Sequence, residues 1–411
     1  MKWKVLEWSI ALSLVSLLRH GCAYEMNRVV RVAEDTWREA AKSHERKIRN
    51  LLLPGLLPQD LSSRQSQRLH ANLGEQGWTA LDTKHPIYNF LIEYYGLKGA
   101  KGPKRLARWS PALSLLLQRD APVPCDAGIL LEGAREDDFA SVLHVRGASI
   151  ESEGILYSPG LFFGKGDSTR RDEAARAATP FIWYRDILQQ TLSAEPIVHC
   201  HGLHEFAMQY QPKGAPPPPS GKYQSHLSLR LEQSVINEAV ERKGISCTHV
   251  DALRFFAPAA GPLNHHGSKL IRTDQLRLEQ PACVHAQMDL LKIALRLQPF
   301  CGAELVERIL DVALRARRLD VAASPYDASA YGVDVVPVET PEGRAMYRKE
   351  QIAQMKAAEP IRRQLLKAYD EFLLLAFDEA ALQTATEHPK AERFAQAEPG
   401  GLPWRKNLVN S

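Results

Sequence analysis

Apolar positions along this chain recur mostly at helical spacing, and only short stretches alternate as strands do. Over residues 27–52, Val30, Ala33, Trp37 and Ala41 mark one face of an amphipathic helix, which Pro54-Gly55 would end. His85-Pro86 opens an aromatic helical run, I-Y-N-F-L-I-E-Y-Y, closed by Gly96, with a basic loop, K-G-A-K-G-P-K-R, behind it. Residues 128–131 and 145–156 read as strands, and C-T-H-V-D-A-L-R-F-F also looks β-like. Helices are expected at 179–192, 231–243, 283–297 and 303–319, and a long charged helix at 344–375, open to a break at Pro360. The pattern predicts a mainly α fold with a few short strands (a minor α+β component), in a single large globular domain over residues 26–388.

Breakers and termini refine this picture. Residues 211–222, Q-P-K-G-A-P-P-P-P-S-G-K, cannot pack regularly and read as a proline-rich loop inserted in the domain. Residues 389–411 read as a loosely ordered tail. Residues 1–25 combine a basic start, an apolar run from Trp8 to Leu18 and the small residues Gly21-Cys22-Ala23, so a signal-like segment is one reading. A dispensable leader ahead of a second start at Met26, on a cytoplasmic protein, is the preferred one. The run is too short to span a membrane.

Composition adds limits. With 45% hydrophobic and 24% charged residues the chain is ordinary for a soluble globular protein, and a net charge of +4 does not demand a nucleic-acid partner. The six cysteines are scattered without a C-x-x-C pair, which argues against a disulfide framework. Cys200, Cys247 and Cys283 lie just before histidines and are candidate ligands, although small buried apolar residues is the preferred reading.

The chemistry concentrates in three histidine-plus-acid clusters. H-C-H-G-L-H-E supplies His199, His201, His204 and Glu205; C-T-H-V-D supplies His249 and Asp251; C-V-H-A-Q-M-D supplies His285 and Asp289. Imidazoles and carboxylates bind divalent metals or relay protons near neutral pH. His285 and Asp289 are four apart in a helical stretch and share a face; His249 and Asp251, two apart in a β-like run, would do the same. If the segments converge, His204, His249 and His285 could hold iron or zinc, with Glu205, Asp251, Asp289 and Arg254 as catalytic groups. Arg230 could clamp an anion. Asn264, Tyr326 and Asp327 are further substrate-binding candidates, and D-V-A-A-S-P-Y-D also brings Asp320 and Ser324 to a helix-to-turn junction. No dinucleotide, Walker or serine-elbow motif is present.

Several strings resemble those of a bacterial family labelled 3-methyladenine DNA glycosylase: G-L-H-E-F-A-M-Q-Y, C-T-H-V-D-A-L-R-F-F-A-P-A-A-G-P-L-N, Q-P-A-C-V-H-A-Q-M-D-L-L-K, A-S-P-Y-D and V-E-T-P-E-G-R-A-M-Y. H-P-I-Y-N-F-L-I-E-Y-Y and R-L-A-R-W-S-P extend the likeness towards the N-terminus. The resemblance implies a hydrolase that cleaves the N-glycosidic bond of an alkylated base in DNA, using a carboxylate such as Glu205, Asp251 or Asp289. The helix-hairpin-helix segment of the well-known helical alkyl-adenine glycosylases is not seen, and that chemistry needs no histidine cluster. Two readings follow: a base-excision hydrolase acting on DNA, and a metal-dependent enzyme acting on a small polar molecule. A non-catalytic binding protein using the same pocket is the third.

Overall fold

The computed structural model describes residues 29–56, 78–116, 127–162, 171–215, 224, 226–242, 244–377 and 382. Five long helices carry these residues: α1 (Glu34–Leu56), α2 (Arg171–Ser193), α3 (Val284–Leu297), α4 (Ala303–Ala322) and α5 (Pro341–Ala376). One small sheet accompanies them, built from β1 (Val29–Val32), β2 (Gly128–Glu132), β3 (Ala148–Glu151) and β4 (Gly154–Tyr157), in the order β1-β2-β4-β3. The fold is therefore mainly α with a few short strands, as the patterning implied. The residue 1–25 leader, the 389–411 tail and most of the proline-rich loop lie outside the described residues.

Helices α3 and α4 set the frame. The chain turns back after Leu297, so the beginning of α3 comes alongside the end of α4, and the two helices pack along their lengths. Helix α5 lies across α2, α3 and α4. Its buried face is a regular stripe of Tyr347, Gln351, Ala358, Leu365, Tyr369 and Phe372. Phe372 joins Phe162, Phe181 and Phe300 in one aromatic cluster with ring separations of 4.9–5.8 Å. The sheet is fastened to α1 by Trp37, fully buried, whose indole N–H donates to the Glu132 carbonyl at 2.9 Å.

Four expectations need correction, and the open question at Pro360 is settled. Residues 29–32 form the strand β1, paired in parallel with β2, so α1 starts at Glu34 and then runs past the anticipated stop with Pro54 inside its last turn. The aromatic run forms a helix only at Asn89–Glu93. The basic loop behind it contains a helix, Lys101–Leu106, docked so closely that a Cβ on Gly102 would lie 2.2 Å from the Leu97 carbonyl carbon. Finally, α5 passes unbroken through Pro360, because that residue and Lys356, whose carbonyl loses its helical donor, both face solvent. The β-like segment around His249 is likewise a short helix, Val250–Leu253, with His249 at its N-terminal boundary.

Candidate metal centre

The three histidines singled out from the sequence do converge. His204 enters from the short helix Leu203–Met208, which follows the left-handed pair His201 (φ 50) and Gly202 (φ 69). His249 comes from a segment zipped to residues 263–265: the Ile245 N–H donates to Leu263 O, and the His265 N–H to Ile245 O, each at 2.9 Å. Asn264 completes that zip. Its side-chain oxygen accepts from the Cys247 N–H at 3.0 Å, and its NH2 donates to the Cys247 and Gly267 carbonyls. His285 sits in the first turn of α3. The His285 ring lies between the other two, edge-on to His204 at 4.5 Å and stacked on His249 at 4.6 Å.

The hairpin of α3 and α4 then brings in an acid and an arginine, both from α4, that the sequence clusters did not pair. Asp320, fully buried on α4, accepts from His204 Nε2 at 2.6 Å and from Arg317 Nη1 one helical turn earlier. Arg317 also donates to Glu205 Oε1 at 3.4 Å and to the Pro86 carbonyl at 3.0 Å. Burial works against every charge here, and the pairing decides the outcome. Burial would raise the Asp320 carboxyl, but His204 and Arg317 hold it well below the usual carboxylate range. Burial would likewise lower the His204 imidazole, yet Asp320 holds it above its ordinary value. Glu205 is pushed up by burial and by the Asp320 charge. His285, with burial and two neighbouring imidazoles against it, is held well below its ordinary value and stays neutral.

Two groups of side chains in this region could hold a metal ion. His204, His285 and Asp320 form one; His249, Glu279 and Cys283 form the other, and in each the ligand atoms lie within 4.8 Å of one another. The groups differ in how far their polar atoms are satisfied. In the first, His204 and Asp320 are bonded to each other and Asp320 to Arg317. In the second, all three residues are buried, and both His249 Nδ1 and Glu279 Oε1 lack a hydrogen-bond partner. The other Glu279 oxygen accepts from Gln275 at 2.8 Å. Burial raises the Glu279 carboxyl and pushes the Cys283 thiol up strongly. The guanidinium of Arg362, itself buried and pulled down to about 10 by that burial, interacts with both of their charges.

The remaining sequence candidates take other places. Asp289 pairs with Lys292 at 2.8 Å rather than with His285, and Asp251 approaches the same ammonium at 4.0 Å. The helical, not extended, backbone at 250–253 removes the expected shared face of His249 and Asp251. Arg254 is exposed, its guanidinium over the neighbouring Phe255 ring. Arg230 is already engaged in a two-point bond with Glu339, at 2.6 and 2.8 Å, and donates to Ser324 O. Tyr326 is buried and its hydroxyl accepts from Gln209 at 2.7 Å, while Asp327 is exposed and accepts from the Ser329 N–H in a turn. Glu279 and Arg317 were not among the sequence candidates. Glu279 stands four residues before Cys283 across a proline, beyond the spacing that marked the clusters, and Arg317 is one of several arginines in a charged helix.

No protein-family model, curated protein or solved structure matches the chain. Among the described residues, no helix is long and apolar enough to cross a membrane.

Proposed function

We propose that this protein is a metal-dependent enzyme acting on a small polar molecule, with the metal held by His249, Glu279 and Cys283 beside the His204–Asp320–Arg317 network. The observation that carries this reading is the pair of unsatisfied buried atoms, His249 Nδ1 and Glu279 Oε1, in one group with a buried thiol. A buried polar atom left without a partner costs about 1–3 kcal/mol, so two in one cluster call for a ligand. A divalent ion would also compensate the carboxylate and thiolate charges, which the single guanidinium of Arg362 offsets only in part. A nitrogen, oxygen and sulfur donor set suits zinc better than iron, since thiolate selects the softer ion and the iron oxygenase triad carries two histidines and a carboxylate.

A zinc ion in that position supplies Lewis acidity and makes a bound oxygen easier to deprotonate. The chain's own residues do the rest. Asp320 orients His204, favours a proton on its Nε2 and biases the ring towards its charged form, one ring away from His285. Arg317 keeps Asp320 ionised and fixes its direction. Glu205, held towards its neutral form, adds a second buried proton carrier on the far side of Arg317.

Elemental analysis of protein purified without chelators tests the proposal. Wild type should carry about one zinc per chain; Cys283→Ser and Glu279→Gln should lose most of it, and Asp289→Asn should retain it. Metal-free wild type that releases free alkylated base from DNA would overturn the proposal in favour of the glycosylase-like hydrolase.

A further inference from the structure

The H-C-H-G-L-H turn serves two places. His204 goes to the centre, whereas His199, His201 and Leu203 line a separate open cavity of about 330 Å³. The second wall comes from Gly244, Ser246 and His265, the third from Arg344 and Arg348 on α5, and Arg242 completes the rim. No carboxylate lines this cavity. Arg242 is paired with Glu238, but among the described residues no acid lies within ion-pair distance of Arg344 or Arg348. Arg344 is nonetheless held in place, donating to the Val338 and Glu339 carbonyls at 3.0 and 3.1 Å. Two positive charges, one of them fixed by backbone carbonyls, thus stand without a counter-charge among the described residues in a concave site that three imidazoles also line.

The backbone is built for this wall. His201 is the one non-glycine residue with positive φ among those described, a strained conformation that clusters at functional sites. Gly244 has φ 69, and a Cβ there would lie 2.9 Å from His265 Nε2, so only glycine lets that imidazole close against the turn.

We propose that this cavity binds the phosphate monoester of a small organic molecule. Two uncompensated guanidiniums match a phosphate dianion in charge, and arginine forks match its oxygens in geometry. A volume of about 330 Å³ is larger than a phosphate group needs and falls at the small end of ligand pockets, which leaves room for a sugar-sized remainder. The cavity shares the segments 199–204 and 244–249 with the metal centre, but its ligand binding does not depend on the metal.

The test is calorimetric titration of the full chain, treated with a chelator and also as purified, with ribose 5-phosphate, inorganic phosphate, ribose and acetate at constant ionic strength. Ribose 5-phosphate should bind saturably in both preparations and at least tenfold more tightly than ribose or acetate. Arg348→Gln, an exposed position whose loss should not disturb folding, should weaken it tenfold or more, and Arg242→Gln by less. Absence of saturable binding up to millimolar ribose 5-phosphate, equal affinity for acetate, or unchanged affinity in Arg348→Gln would each overturn the proposal. Because the chelated protein is tested as well, loss of the metal assignment would leave this result readable on its own.

Discussion

Asp320→Asn probes the buried network with a change that keeps shape and removes one charge. Asp320 is fully buried and receives two charge-assisted hydrogen bonds, from His204 Nε2 at 2.6 Å and from Arg317 Nη1. Each such bond is worth about 1.5–3 kcal/mol, and removing one partner of a buried ion pair costs about 3–5 kcal/mol. The amide would also turn a donor towards either an imidazole or a guanidinium that is itself donating. Among the described residues, Arg317 would retain only Glu205, at 3.4 Å, as a counter-charge. We therefore expect Asp320→Asn to lose about 3 kcal/mol or more in urea unfolding of chelated protein at pH 7, with Glu359→Gln, in an exposed pair with Arg363, staying within about 0.5 kcal/mol. The sign with pH follows from the depressed carboxyl: its contribution is present above the unfolded value of about 4 and is lost as pH falls through the lower folded value, so the gap between the proteins should close only in strong acid. A loss below about 1 kcal/mol at pH 7 would refute the network as described.

Two further predictions concern the scaffold. Glu307 bonds His44 Nδ1 at 2.7 Å and Lys47 Nζ at 2.9 Å, and these partners hold its carboxyl below the ordinary value although burial alone would raise it. Its contribution is thus present above about pH 4.3 and fades as pH falls through the folded value, so Glu307→Gln should cost about 1–2 kcal/mol at pH 7 and less at pH 3.5, with equal urea midpoint shifts at both pH values contradicting this. Gly343 follows the Thr340 cap of α5, and a Cβ there would lie 1.9 Å from the Pro337 carbonyl oxygen; Gly343→Ala should destabilise by about 1–3 kcal/mol, and an unchanged melting temperature would show the turn can relax.

The helical part of the fold was legible because its signal is local. Residues 283–297 and 303–319 carry a strong periodic face, and α3 and α4 begin within one residue of those positions. β1 was hidden because V-V-R-V is four residues long and becomes a strand only through its non-local pairing with β2. At the site, the convergence of His204, His249 and His285 was anticipated from clustering alone. Their partners were not, since each acid beside a histidine in sequence lies off its ring in space. Asp289 turns to Lys292, while Asp320 reaches His204 across 116 residues, through a hairpin that no spacing rule encodes. Sequence leaves Cys283 open between a small apolar residue, the preferred reading, and a ligand; the unsatisfied atoms of His249 and Glu279 beside it favour the ligand.

The most direct check on the metal assignment is anomalous diffraction at the zinc edge from crystals of protein purified without chelators. The account predicts one strong peak about 2.0–2.3 Å from a His249 ring nitrogen, a Glu279 oxygen and Cys283 Sγ. A peak seated instead among His204, His285 and Asp320, or no peak at all, would contradict it.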